Sequence, residues 1–481
     1  MTLTTPPHPA QENRHTPRPP KTGWRSQLSP LRTLVLRLHF YAGVCVAPFL
    51  LLAAVTGLLY AGSFQAEKIV YAHELTVPVG KSELPVSEQV AAARKAHPEG
   101  TVTAVRPSPS AGSTTRVLLS GVPGIDSDNT LAVFVNPYNG KVRGALEQYG
   151  STGALPLRAW ISELHSNLHL GETGRLYSEF AASWLWVITG GGLVLWFGRR
   201  RARRRIRGTS GRRRTLSLHG KMGVWAAGGL FFLSATGLTW STYAGANISD
   251  LRDALGQSTP TVSTTSSAGS EHAGHGMAGM DMGGDRTGAT SSRTKDVGLD
   301  AVLKAARAKG LTDPVEIDLP IDDSSSYVVQ QIQRSWPETQ DSVAVDPTTG
   351  KVTDVVRFGD YPLLAKLTRW GIDLHTGTLF GLANQIALAA LASSLILLIV
   401  WGYRMWWKRG RGSSFGRAIP SGTWQQVPPY VLFPAVAGIS VLGFFVPLFG
   451  VPLAAFLLFD IVRGALACRR KKRACVSADW P

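Results

Sequence analysis

Two histidines stand at matching positions of two apolar segments, and imidazole is a side chain that readily ligates metals. His39 opens an apolar run that ends at Thr56-Gly57-Leu58, and His219 opens a run that ends at Thr236-Gly237-Leu238. One offset separates both the histidines and the threonines (219 − 39 = 180 and 236 − 56 = 180). The shared offset predicts an internally duplicated unit that has kept its histidines.

A second pair of histidines also recurs at matching positions, with another offset. Trp160 and His165 are spaced as Trp370 and His375 are, and the histidines lie 210 residues apart (375 − 165 = 210). Ionisable side chains in membrane helices are costly and by default functional. Two facing imidazoles in a helical bundle suit the axial ligation of haem iron. We therefore predict that His39 pairs with His219 at one level and His165 with His375 at another.

Other interpretations of these histidines stay open from the sequence. His169 follows His165 by four residues, shares its helix face, and is an alternative outer ligand. A membrane histidine can also simply hydrogen-bond to a neighbouring group, or a pair can bind a metal ion without haem. Glycines nearby, such as Gly57 and those at 190–192, let a flat ring approach and favour haem. If the spans are straight, the two levels lie on the order of 40 Å apart, which is long for one electron-transfer step. Either the second and fourth spans tilt strongly, or His169 is the outer ligand, or an aromatic such as Trp184 or Trp186 intervenes.

The distribution of apolar residues predicts a mainly α fold, a six-span helical membrane bundle with internal duplication, plus two small α+β extracytoplasmic domains. Four apolar runs have the length of a span, and a fifth is interrupted by Pro447 and Pro452, which predicts two short spans. The predicted order is a disordered N-terminus (1–30), a first span (31–62), a first external domain (63–160), a second span (161–198), a basic loop (199–217), a third span (218–242), a second external domain (243–368), a fourth span (369–407), a loop (408–430), a two-span hairpin (431–467) and a tail (468–481).

The distribution of charged residues predicts the orientation of the chain in the membrane. The formal net charge is +18, and the segment 199–214 holds ten arginines and no acidic residue. Because basic residues concentrate in cytoplasmic loops, this pattern places both termini on the cytoplasmic side of a bacterial cell membrane and argues against nucleic acid as the partner. A polar, proline-rich segment precedes the first apolar run, so we expect no signal peptide.

The two external domains share a pattern of their own. Each begins with a helix, at Val86–Ala96 or Leu299–Ala308, and ends with a hairpin around Asn136–Gly140 or Asp346–Gly350. The second also carries a low-complexity insert, 256–295, which contains three of the six methionines of the chain. Closely spaced imidazole and thioether groups favour soft metals, so the insert predicts weak copper binding, with a spacer as the alternative. Its candidate ligands are His272, His275, Met277, Met280 and Met282.

These motifs together resemble the PepSY-associated transmembrane family, which includes iron-regulated membrane proteins and ferric-siderophore reductases. The resemblance covers approximately residues 30–407 and is carried by Leu38-His39, by Leu164–Arg175, by Leu374–Gly377 and by Asp346–Val352, which looks like the end of a PepSY module. It implies a membrane protein that uses haem b, expected twice, to pass electrons outward to a ferric or copper chelate. The chain is then a candidate transmembrane metalloreductase.

The resemblance leaves the partners and a rival function open. The sequence shows no glycine-rich phosphate loop for flavin or nicotinamide, so the electron donor is expected to be a membrane quinol or a reductase protein. The remaining partners are the lipid bilayer and the metal chelate. The rival is a non-redox PepSY membrane protein that senses or binds metal, or regulates an external peptidase.

Overall fold

Long apolar helices and one β-sheet make up the computed structural model, which describes residues 29–200, 211–264, 296–408 and 429–478. Helices satisfy their backbone polar groups internally, as an apolar surrounding requires. In chain order the elements are α1 (Ser29–Cys45), α2 (Ala47–Val70), α3 (Ala72–Leu75), α4 (Val86–Ala96), β1 (Thr101–Arg106), β2 (Thr115–Ser120), β3 (Asn129–Val135), β4 (Val142–Tyr149), α5 (Pro156–Ser166), α6 (Gly171–Arg200), α7 (Gly211–Leu238), α8 (Tyr243–Ala254), α9 (Leu299–Ala308), β5 (Val315–Asp318), β6 (Tyr327–Gln331), β7 (Ser342–Val345), β8 (Val352–Val356), α10 (Leu363–Thr376), α11 (Gly381–Trp407), α12 (Pro429–Phe445) and α13 (Pro447–Ala478).

Four helical columns form the bundle: α1 with α2, then α6, α7 and α11. The column of α1 and α2 packs against α6 and α11, and α7 packs against the same two helices. The first column and α7 therefore lie diagonally across the bundle. Buried residues from all four columns form its core, among them Leu50, Trp184, Leu230 and Leu398. This arrangement lets side chains of the first column face those of α7.

The described helices that can cross a membrane number three by length and composition, at Ala47–Val70, Gly171–Gly198 and Gly381–Trp407. A fourth span results if the bent pair Arg214–Leu238 and Tyr243–Ala254, with an angle of 81° between its halves, counts as one. The C-terminal helices α12 and α13 pack against each other, and Leu432–Phe445 is a shorter apolar helix. The six spans predicted from the sequence therefore stay a prediction.

The second and fourth predicted spans are each divided in two. The chain leaves α5 after Ser166 and enters α6 at Gly171, and in between Leu168 and His169 have φ angles of 56° and 55°. Likewise α10 ends at Gly377, whose φ of 88° is the left-handed conformation that terminates helices. The short helices α5 and α10 then pack against α2 and α7, respectively, rather than extending α6 and α11.

A single eight-stranded antiparallel sheet replaces the two separate external domains that the sequence predicts. Its strand order is β4-β3-β2-β1-β5-β6-β7-β8, so each half of the chain supplies four consecutive strands. The halves join where β1 pairs with β5, with Ala104 opposite Asp318 and Val105 opposite Ile317. The unpaired edge of a sheet tends to pair with another strand, and the pairing of β1 with β5 removes one such edge from each half.

The elements inside each half agree with their prediction. Helices α4 and α9 have the predicted bounds, and the predicted hairpins lie between β3 and β4 and between β7 and β8. Gly140 and Gly350 at the hairpin tips have φ angles of 70° and 67°, which glycine adopts without strain. Both helices cover the same face of the sheet, where their apolar residues form one continuous core with the strands.

Candidate functional site

His39 and His219 approach each other across the bundle. His39 lies on α1 and His219 on α7, and the centroids of their rings are 6.5 Å apart with an angle of 77° between the ring planes. Both residues are half-buried. Two imidazoles bound on opposite sides of one metal at about 2 Å each have ring centroids roughly 6 Å apart. The observed separation of the ring centroids is close to this distance.

Hydrogen bonds fix the tautomers of these two rings. His39 Nδ1 is 2.9 Å from the carbonyl oxygen of Ile188 on α6, and His219 Nδ1 is 3.1 Å from that of Leu398 on α11. A carbonyl oxygen only accepts, so Nδ1 carries the proton and donates in both residues. The lone pair of a neutral imidazole is then on Nε2, where a metal can bind it.

His165 and His375 are held in an equivalent way at a second level of the bundle. His165 Nδ1 lies 2.9 Å from Thr56 Oγ1, and His375 Nδ1 lies 2.7 Å from Thr236 Oγ1. The threonine hydroxyls donate their own protons to backbone carbonyls one turn earlier, at Leu52 and Phe232. With the hydroxyl proton donated to the carbonyl, the hydroxyl oxygen accepts from Nδ1, which again leaves the Nε2 lone pair for a ligand.

Glycines give each of the four rings a surface to lie against. A Cβ at Gly192 would be 3.2 Å from His39 Cε1, and a Cβ at Gly57 would be 3.2 Å from His165 Cε1. The corresponding distances are 4.0 Å from Gly402 to His219 and 3.8 Å from Gly237 to His375. Larger side chains at these positions would displace the imidazoles.

The two levels are closer together than straight spans predict. Because α5 folds back onto α2, His165 lies beside Thr56, which is 17 residues after His39 along the first column (56 − 39 = 17). At 1.5 Å per residue this corresponds to about 26 Å, instead of the roughly 40 Å expected. The candidate intervening tryptophans, Trp184 and Trp186, both pack against Phe449 of α13.

The alternative outer ligand, His169, lies outside the bundle. Its ring is exposed, forms an ion pair at 3.0 Å with Glu163 Oε2, and stacks on Trp160 with a centroid distance of 5.1 Å. The backbone at His169 has left the helix, so it no longer shares a face with His165. Of the two candidates, only His165 contacts a threonine of the bundle as His375 does.

The methionine and histidine insert lies outside the described residues, which resume at 296. Copper binding by His272, His275, Met277, Met280 and Met282 accordingly stays a prediction.

A charged cluster beside α10 is a feature that sequence reasoning missed. Glu338 and Asp373 have fully buried side chains, and Arg369 pairs with both, at 3.0 Å and 3.5 Å. Arg334 contacts Asp373 at 3.4 Å. Burial, and then the Asp373 charge, raise the pKa of Glu338 to about 8. The only sequence signal was Asp373, an acidic residue two positions before His375 and four after Arg369 in the same helix.

Comparison with known families finds a membrane-associated family. The family described as PepSY-associated TM region matches residues 36–409, which include all four bundle histidines. No protein of curated function matches the chain.

Proposed function

Because the chain belongs to the PepSY-associated TM family and is a membrane protein, we propose that it binds two haem b groups and passes electrons across the membrane to a metal chelate. His39 and His219 hold one group, and His165 and His375 hold the other. The observation that carries the proposal is the common anchoring of Nδ1. At all four histidines this nitrogen donates to an oxygen of the chain, which presents Nε2 as a ligand.

Neutral imidazole is a donor that haem iron accepts, so His39 with His219 and His165 with His375 would each hold one haem. The oxygens that orient the rings also raise their basicity, as second-shell groups do at metal sites. The glycines beside Cε1 admit the rings without displacing α2 and α6. Both sites thus fit the group in donor type and in the space around the rings, and the His39–His219 pair also fits it in ring separation.

We further propose that the bundle arose by internal duplication. The offsets that relate the histidines also relate their partners: Ile188 and Leu398 differ by 210 (398 − 188 = 210), as Gly192 and Gly402 do (402 − 192 = 210). The threonine acceptors keep the offset of 180. A duplicated unit explains why contacts, and not only residue types, recur.

The arginine-rich segment 199–214 supports a cytoplasmic position for the His39 end and an external position for the His165 end. Bound haem b supplies the one-electron redox couple at each level. On this account a quinol or a reductase protein would be oxidised at the cytoplasmic side, and each ferric or cupric chelate would take up one electron at the other side. One quinol would release two protons and supply the electrons for two chelates. The chain itself holds the ligands, excludes water with its apolar core and keeps the imidazoles neutral.

Electron passage can be tested in proteoliposomes that contain a reductant inside and ferric citrate outside. The wild type should produce external Fe(II), detected with a colorimetric chelator. His219→Ala should abolish this reduction, because one axial ligand at the inner level is lost.

His73→Ala is the matched control, because the side chain of His73 is 63% exposed and lies outside the bundle. It should reduce ferric citrate as the wild type does. If the wild type reduces no more iron than empty vesicles, the rival view of a non-redox sensor or regulator replaces the proposal.

A further inference from the structure

A cavity of about 170 Å³ lies where the two halves of the sheet meet α5. Three arginines line it: Arg106 at the end of β1, Arg116 on β2 and Arg158 on α5. Apolar residues form the remaining wall, including Pro107, Pro314, Val315 and Ile332. No acidic residue is among its lining residues in the described part of the chain. The cavity is therefore both cationic and partly apolar.

Two of the three arginines have carboxylate partners and one has none. Arg106 pairs with Glu316, and Arg158 Nε donates to Glu67 Oε2 at 2.7 Å. Within the described residues no carboxylate lies within 4 Å of Arg116. Its hydrogen bonds to Gln148 Oε1 and to the carbonyl of Gly153 are both long, at 3.4 Å. A guanidinium has five donors, so most of the capacity of Arg116 is unused.

The surroundings hold this unpaired charge in place. The Arg116 guanidinium carbon lies 5.3 Å from the centre of the Phe134 ring, which supports it by a cation–π contact. Burial, and then the nearby Arg106, lower the pKa of Arg116 to about 10, so it is still cationic at neutral pH. Arg116 is half-buried and lines the cavity, and in the part of the chain that the structure describes none of its nitrogens is both buried and without a partner, so its remaining donors are accessible to a ligand there.

The absence of a side chain at Gly153 permits the three guanidinium groups to lie close together in the cavity wall. It adopts a φ of 63°, and a Cβ at this position would collide with Arg106 Nη1. Its carbonyl accepts from Arg158 Nη2 at 2.9 Å as well as from Arg116. A turn built on glycine thus places a backbone acceptor where a side chain would exclude the cations.

We propose that this cavity binds the carboxylate of a small organic acid, or one carboxylate arm of a larger ligand, through Arg116. Arginine recognises carboxylates with two parallel hydrogen bonds. The apolar wall favours an organic body over an inorganic oxyanion. The cavity is smaller than the roughly 300–1,000 Å³ of pockets that enclose drug-sized molecules, so one small anion fills it. This site does not depend on the haem proposal.

Calorimetric titration of the full-length protein in uncharged lipid nanodiscs tests the proposal, with succinate as the probe. Succinamide, which has the same length and no charge, and sulfate, which has no organic body, are the comparison ligands. Succinate should bind, and both comparison ligands should bind more weakly. Arg116→Gln should weaken succinate binding at least about tenfold, since charged hydrogen bonds are lost.

Arg143→Gln is the matched control, because Arg143 lies on β4, two strands away from Arg116 on β2, and donates to the carbonyl of His73. It should bind succinate as the wild type does. Ile332→Phe fills the cavity while keeping all three arginines, and it should also weaken binding. The proposal is overturned if Arg116→Gln and Ile332→Phe bind succinate like the wild type, if succinamide or sulfate binds equally well, or if the wild type shows no binding up to about 10 mM succinate.

Discussion

At the scale of single residues, the oxygen that accepts the hydrogen bond from Nδ1 of each histidine is as important for the proposed ligand site as the imidazole itself. His39 and His219 donate to backbone carbonyls, whereas His165 and His375 donate to threonine hydroxyls. A backbone carbonyl cannot be removed by substitution, but a hydroxyl can. The two levels can therefore be perturbed separately through Thr56 and Thr236.

Substitution of Thr56 by valine should weaken the outer site selectively. The hydroxyl acceptor disappears, and the buried Nδ1–H of His165 is left without a partner. Loss of such an outer-shell group typically lowers affinity about 10–100-fold at metal sites. Titration of haemin into apo-protein should show this loss for one of the two sites.

Two variants control this experiment. Thr56→Ser keeps the hydroxyl and should keep the affinity. Thr368→Val removes an exposed hydroxyl that bonds only to Leu364 O of its own helix, and it should change nothing. Equal haemin affinity in Thr56→Val and the wild type would show that the threonine does not orient the ligand.

Glu338 predicts a pH dependence of stability in the sheet domain. Its pKa is raised from 4.5 to about 8 by burial and by the Asp373 carboxylate, with Arg369 opposing the shift. At a pH between these two pKa values, the folded state binds more protons than the unfolded state. The stabilisation that Glu338 contributes is therefore fully present below the lower pKa, and it is lost as the pH rises towards the higher pKa. The melting temperature of the wild type should therefore decrease from about pH 5 to pH 8.

Glu338→Gln should have a flatter pH profile, because its side chain has no proton to lose. Each kcal/mol of stability corresponds to about 2–4 °C in a domain of this size, which thermal denaturation resolves. Glu83→Gln, at an exposed position, should retain the slope of the wild type. An unchanged slope in Glu338→Gln would assign the dependence to other groups.

At the scale of elements, the histidine positions were predictable and the paths of their helices were not. Hydropathy shows where apolar residues begin, so residues 161–198 were expected to form one span. The break at 167–170 depends on a turn that Asn167 stabilises by accepting from His169 N at 2.8 Å. Such local hydrogen bonding competes with helix continuation but does not alter hydropathy. The placement of His165 beside Thr56 follows from this break.

The glycines of α1 and α2 allow a matched pair of substitutions. Gly57→Val should displace His165, because even a Cβ would lie 3.2 Å from its Cε1, and the outer haem should be lost. Gly43→Val should keep both haems, because a Cβ there has no atom within 4 Å. Both changes replace a helical glycine by a better helix former, so neither effect arises from helix propensity. Optical spectra of the two purified variants decide the point, and retention of full haem in Gly57→Val would contradict the assigned geometry.

At the scale of the whole molecule, the sequence predicted each half of the sheet domain but not their union. Periodicity gives helix α4, helix α9 and the hairpins, because these depend on neighbours in the chain. The pairing of β1 with β5 joins residues about 210 positions apart, and so does the buried pair of Arg106 and Glu316. Long-range pairings of this kind leave no local pattern. The cavity at Arg116 lies at that junction, which explains why sequence reasoning missed it.

The haem content of the purified wild type tests the central claim most directly. A pyridine haemochrome assay should give about two haem b per chain, and His39→Ala and His375→Ala should each reduce the content to about one. Protein that is folded and free of haem, or variants that keep the full content of the wild type, would contradict the account.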